Sequence, residues 1–197
     1  SSGVCVEDGG HVVRSLCGSA QHCTVSTGFR IRPHPPRAGV GAGGDGRGRR
    51  WAAWEFRVES DASGDECSAI GAAVRPVSSS SYDCSPDLWM RRSYNGQLYD
   101  RGRPVSAAAS NGLQQGRSTL SPVHQGDIVR IELDLTEGTL SYSLNGVDEG
   151  VAFTNMSGEI YPCVCTYRTG VQVRLLKVET WVRGGGCGGG LASLLRH

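Results

Sequence analysis

The stretch from Gly126 to Leu176 limits the fold more than any other part of this chain. It begins GDIVRIELDLTEGTLSYSLNGVDEGVAF and ends IYPCVCTYRTGVQVRLL. Val129, Ile131, Leu133 and Leu135 alternate with Arg130, Glu132 and Asp134, and Leu140, Tyr142 and Leu144 alternate with Ser141 and Ser143. A period of two with one apolar side describes half-buried antiparallel strands. Thr136-Glu137-Gly138 supplies a short hairpin in which Gly138 takes the positive φ. Asn145-Gly146 is a strong two-residue turn signal. A third short strand, Val151 to Phe153, is expected after Gly150. Pro162 lacks a backbone donor and is expected at a strand entrance or on an edge. Val171, Val173 and Leu175 alternate again, which completes a meander with one apolar face.

With 197 residues and a net charge of +1, the chain suits one domain with a sizeable core. The charge balance points to neither nucleic acid nor a membrane surface. No apolar run approaches the roughly 18 residues that a spanning helix needs. No secretory signal is read at the start, so reduced thiols and a cytoplasmic or nuclear location are expected. Residues 1–4 are read as a tag remnant or a disordered start. The 8 cysteines include no C-x-x-C pair, so no metal site is expected. Cys163 and Cys165 are spaced to share a strand face as packed thiols.

Short strands are expected around Val12-Val13, Cys23 to Val25 and Phe29 to Ile31. Arg32 to Arg50 is a Pro/Gly/Arg-rich loop. Ser60 to Glu66 is a turn, Pro76 to Pro86 a Ser-rich loop with Tyr82 at its centre, and Arg101 to Gln125 a long polar loop. Long loops on a β framework are where binding residues concentrate. Gly184 to Gly190 reads as a linker and Leu191 to His197 as a short helical tail.

Formal motifs do not survive their context. Gly39 to Gly44 fits G-x-G-x-x-G, but Pro35-Pro36 precedes it and no helix follows. There is no G-x-S-x-G, and the five histidines form no nucleophile–base set. Asp148-Glu149 reads as part of the turn beside Asn145-Gly146. Asn155-Met156-Ser157 is a glycosylation sequon expected to stay unmodified. Arg47, Arg49 and Arg50 are a basic cluster, but Trp54 alternates with Phe56 as a core residue, leaving little for a base to stack on. No catalytic residue, cofactor or metal is expected.

The order of Gly126-Asp127, Leu133-Asp134, Gly138-Thr139-Leu140-Ser141, Asn145-Gly146, Gly150-Val151-Ala152-Phe153 and Tyr161-Pro162 resembles the second half of a SPRY domain. Upstream, Trp54 to Val58, Ile70 to Val74, and Leu88-Trp89 through Gly96-Gln97-Leu98-Tyr99 are similar to earlier pieces of that family. The resemblance covers about residues 25 to 176, and the domain is set at 5–178. It implies an all-β, bent antiparallel β-sandwich of concanavalin-like form that acts as a non-catalytic, monomeric protein-interaction module.

In loop lengths the chain resembles the SPRY domains of SPRY/SOCS-box-type adaptors, where a shallow loop pocket holds a short peptide. That resemblance implies a peptide site at Arg75, Pro76, Tyr82, Tyr167, Arg168 and Thr169, with Arg30 or Arg32 on its rim. It also implies substrate recognition for a ubiquitin ligase. Where those relatives carry Trp-Gly, this chain has Tyr167, Arg168 and Thr169, so their ligand motif does not transfer. The tail around Leu191 to Leu195 lies where such adaptors begin the helix that recruits elongin. Lysine is confined to Lys177, for which GC-rich coding is a plainer account than lysine avoidance. Tyr82, set among small polar residues, either stands exposed for contact or folds back onto the sandwich. Tyr167 presents the same two alternatives. A lectin-like carbohydrate-binding sandwich is the alternative function, and it would need an Asp/Asn metal cluster or an aromatic platform.

Overall fold

The computed structural model describes residues 3–25, 27–31, 48–61, 68–106 and 118–183. Two antiparallel sheets face each other. In the first, the strand order is β1 (Val4–Glu7), β2 (Val12–Ser15), β14 (Gln172–Arg183), β5 (Arg49–Ser60), β10 (Ile128–Asp134), β11 (Thr139–Leu144) and β12 (Val147–Phe153). In the second, it is β3 (Gln21–Thr24), β13 (Glu159–Thr166), β6 (Ser68–Ala73), β7 (Leu88–Arg92), β8 (Leu98–Asp100) and β9 (Arg103–Pro104), with β4 (Phe29–Arg30) also on β13. The antiparallel strands expected from the alternation, and the all-β sandwich that the family resemblance implies, are the architecture observed.

The alternating residues fill the space between the sheets. Trp54, Phe56, Ile131, Leu133, Leu140 and Ile160 are buried there, with Ile131 paired to Trp54 and Leu133 to Leu140. Phe29 stacks on Trp54 at 5.8 Å between ring centroids, which ties short β4 to the core. Tyr142 on β11 donates its hydroxyl proton to the Ile70 carbonyl of β6 at 3.1 Å. This bond joins the two sheets through the core and satisfies both buried polar atoms.

The expected turns are in place. Asn145 and Gly146 both have positive φ, 51° and 82°, as a tight hairpin between twisted strands requires. Gly138 has φ 65°, and a Cβ there would stand 2.3 Å from the Met156 carbonyl oxygen. Both the conformation and the space therefore demand glycine.

Three expectations are corrected. Pro162 lies inside β13, a central strand, opposite the gap between β3 and β4. Its carbonyl accepts the Val25 N–H at 3.0 Å. In an antiparallel ladder the partner would return that bond, and proline cannot. The Val25 carbonyl instead accepts from the Arg75 guanidinium at 2.7 Å. Glu149 is not a turn residue. It sits in β12 with its side chain 7% exposed, ion-paired with the fully buried Arg91 of β7. The strand expected at Val151 begins earlier, at Val147.

The ladder also runs past the expected ends. β1 starts at Val4, and β14 continues through residue 178 to Arg183 along Arg49 to Trp51. There Trp51 stacks on Trp181 at 6.2 Å, and the Arg183 guanidinium lies 5.2 Å above the Trp51 ring. Arg49 pairs with Glu137 at 3.3 Å. Trp51 and its neighbouring arginines are thus engaged with one another and with acidic residues.

Candidate functional site

The outward face of the second sheet carries a small core of its own. Residues two apart on a strand share a side. Tyr161, Cys163 and Cys165 therefore line one side of β13, and Tyr167 follows just past the strand end. Ala69, Ala73, Leu88, Met90, Cys163 and Cys165 are fully buried although they face away from the main core. The Ser-rich loop from Arg75 to Asp87 covers them, and Tyr82 is the reason. Its ring, 2% exposed, meets Tyr99 edge-on at 4.5 Å and Tyr167 at 5.1 Å. Its backbone N–H donates to the Tyr167 hydroxyl at 3.0 Å. Of the two alternatives for Tyr82, the structure takes folding back onto the sandwich, because the sheet offers an apolar trough of Ala and Cys side chains. The small polar neighbours of Tyr82 in sequence gave no sign of that trough.

The rest of the loop is pinned at several points. Ser80 bonds to His22 of β3 at 2.8 Å. Burial lowers the His22 pKa. The Asp87 carboxylate accepts from the Ser78 N–H at 2.7 Å and from the Ser78 hydroxyl. These hydrogen bonds hold Asp87 below the usual carboxylate range. At the start of the loop, Arg75 donates to the Thr24 hydroxyl at 2.6 Å and to the Val25 carbonyl. It also lies 4.1 Å above the Tyr161 ring, a cation–π contact. The Tyr161 hydroxyl donates to Glu159 at 2.9 Å, and Glu159 accepts from Arg30 at 3.2 Å. The hydrogen bond from Tyr161, then that from Arg30, lowers the Glu159 pKa.

The residues singled out from sequence therefore fall along one strip. Arg75 and Pro76 are exposed at one end, and Arg168 and Thr169 are exposed at the other. Tyr82 is sealed beneath the middle and Tyr167 is half-buried against it. Tyr161 and Tyr167 are six positions apart, roughly 20 Å at about 3.3 Å per residue. Tyr82 and Tyr167 are brought together; Arg75 and Arg168 mark opposite ends. Arg32 lies outside the described residues, as do the 39–44 motif, Cys67, Cys187 and the tail beyond residue 183. The sequence pattern did not single out Tyr161, Glu159 and Thr24, which complete the Arg75 cluster. The Tyr161-Pro162 pair was the available signal, and it carried weight only as a family marker.

Comparison with known proteins assigns this two-sheet sandwich to a class. The profile of the SPRY domain matches residues 52–178, and the chain belongs to that family. SPRY domains are in general protein-interaction modules. Among solved structures, the SPRY domain of human HERC1 superposes with a TM-score of 0.68 at 25% identity, covering 88% of this chain and 92% of that one. The PSpry domain of TRIM65 gives a TM-score of 0.56 at 13% identity over 90% of this chain and 87% of that one, a likeness of fold alone. The dual specificity protein kinase splA of Dictyostelium discoideum is 34% identical over 85 residues, which are 43% of this chain and 4% of that protein.

Proposed function

We propose that the chain recognises a short peptide segment of a partner protein on the exposed loop strip between Arg75–Pro76 and Arg168–Thr169. The observation that carries this reading is the buried Tyr82 beneath the loop. A loop anchored by an aromatic ring and several hydrogen bonds presents its exposed groups in a fixed arrangement. A partner then loses less of its binding free energy to ordering that loop. Arginine is among the residue types enriched where interfaces concentrate their energy, and exposed arginines mark both ends. Tyr82 and Tyr167 act by holding the loop rather than by touching the ligand. The further reading, substrate recognition within a ubiquitin-ligase assembly, follows the SPRY/SOCS-box resemblance.

Affinity capture tests it. The wild-type chain, an Arg75→Ala, Arg168→Glu double variant and a Tyr82→Phe control are used as baits, each checked for folding by circular dichroism. The double variant is expected to lose partners that the control retains. Recovery of the same proteins by all three baits would falsify the loop reading.

A further inference from the structure

We infer that the free edge of β3, with the apolar cleft beside it, forms a second binding site for an extended peptide segment carrying aliphatic side chains at alternate positions. This site goes beyond the loop strip: it lies along the edge of β3, which borders the Arg75 end of that strip.

Two independent features meet there. The first is an unpaired edge. β3 is the last strand of its sheet, bonded on one side to β13. The Val25 N–H points to β13, and alternation along an antiparallel strand turns the backbone groups of His22 and Thr24 the other way. The Thr24 carbonyl is taken by Arg75 at 3.2 Å. Among the described residues, no backbone group pairs with the His22 N–H, the His22 carbonyl or the Thr24 N–H. Such an edge is a template for another strand.

The second feature is a gap in the sandwich. β1, the last strand of the first sheet, lies opposite β3. The two are close at Gly3, where a Cβ would stand 2.5 Å from both Cys17 Sγ and the Gln21 side chain. Towards Val6 and Thr24 they enclose a cleft of about 350 Å³. Phe56, Val164, Val173 and Leu175 form its floor, with Val6 and Val13 on one wall and Cys23 on the other. Val6 is 51% exposed. Gly10, on the rim, has nothing within 4 Å of where a side chain would begin, so the mouth stays open. A cavity of about 150 Å³ lined by apolar side chains holds a benzene-sized group. The cleft therefore has room for one or two aliphatic side chains.

Together the features select the occupant. Backbone donors and acceptors ask for another backbone in extended form. On β3 the Cys23 side chain faces the cleft, while His22 and Thr24 engage the Ser-rich loop on the opposite side. A strand added beyond β3 inherits that alternation, so every second side chain drops towards Phe56 and Leu175. Main-chain bonds then give affinity and the pocket gives selectivity.

The test uses nuclear magnetic resonance on the whole 197-residue chain. The probe is a capped alternating hexapeptide, acetyl-(Thr-Val)3-amide, with a version N-methylated at alternate positions as its control. The His22 and Thr24 amides are expected to exchange freely with solvent in the chain alone. They are expected to shift and gain protection with the peptide, along with the methyl groups of Val6 and Leu175. The N-methylated peptide is expected to bind at least about tenfold more weakly, and so is the unmodified peptide to a Val6→Glu variant. The inference is overturned if those amides are already protected in the chain alone, since a segment of the chain then covers the edge. Shifts confined to the Arg75 or Arg168 loops, or none with peptide at roughly millimolar concentration, also overturn it. Equal binding of the two peptides does the same. Because the readout is residue by residue, its failure leaves the loop-strip reading standing.

Discussion

The hydroxyl of Tyr167 accepts the backbone N–H of Tyr82 at 3.0 Å while the two rings meet edge-on at 5.1 Å. One tyrosine thus fixes both the main chain and the side chain of the other, and the loop above them takes its shape from that pair. Removing either half should loosen the loop to a different degree. Tyr167→Phe leaves the Tyr82 N–H without its acceptor and is expected to cost about 1 kcal/mol. Tyr82→Ala empties a trough built for a ring and is expected to cost about 3 kcal/mol. Urea titration checks both, as a fall in the midpoint with the slope unchanged.

Gly71 of β6 is a stricter requirement. A Cβ at this position would stand 2.0 Å from the Trp89 carbonyl oxygen and 3.0 Å from the Met90 backbone of the neighbouring strand. Neither backbone can yield without opening the β6–β7 ladder. Gly71→Ala should therefore destabilise the domain by about 3 kcal/mol or more, in the range reserved for overpacking and lost strand pairing. Thermal unfolding followed by circular dichroism provides the measurement. An unchanged melting temperature would show that the two strands can separate at little cost.

Arg91 and Glu149 hold a buried ion pair at 2.5 Å, and Glu149 also accepts the Ser121 N–H at 2.8 Å. Glu149→Gln strands a guanidinium in the interior and is expected to cost about 3–5 kcal/mol. Replacing both partners, as Arg91→Met with Glu149→Leu, should recover most of that loss, because no charge is left buried. Denaturation midpoints of the two variants decide the matter, since a double variant no better than the single one would contradict it.

Acid should release the Ser-rich loop through Asp87. Its folded pKa is depressed by the hydrogen bonds from Ser78. The stabilisation is therefore complete above the unfolded carboxylate value of about 3.9 and is lost as pH falls through the lower folded value. The protection factor of the Ser78 amide, its exchange measured against the intrinsic rate at each pH, is expected to fall below about pH 4. In Asp87→Asn that acid dependence should disappear while exchange near neutral pH is already faster.

Much of the scaffold could be read from the chain because its signals are local. Alternation from Val129 to Leu135 and from Leu140 to Leu144 marks the buried face directly. Asn145-Gly146 and Gly138 announce turns whose positive φ few other residues tolerate. Pro162 misled because the rule concerns the strand, whereas the observed solution is a guanidinium from another loop. Tyr82 was undecidable for the same reason. Its burial depends on Ala69, Ala73, Cys163 and Cys165 arriving beneath it from two other strands. Glu149 looked like a turn residue until Arg91, distant in sequence, supplied its partner. The candidate site was legible as a set of loops and not as an arrangement, since nothing in the sequence placed Arg75 and Arg168 at opposite ends of one strip.

The two cysteines beneath Tyr82 give the loop a clock. Cys163 and Cys165 are both fully buried, and the hydrogen bond between them together with burial holds the Cys163 thiol well above the ordinary range. Both sulfurs are sealed from solvent, so an alkylating reagent reaches neither while the tyrosine stays seated. Exposed Cys84 and the half-buried Cys5, Cys17 and Cys23 label first. The buried pair is then modified slowly, at a pace set by each lift of the loop, and its rate counts openings that no static picture of the surface records.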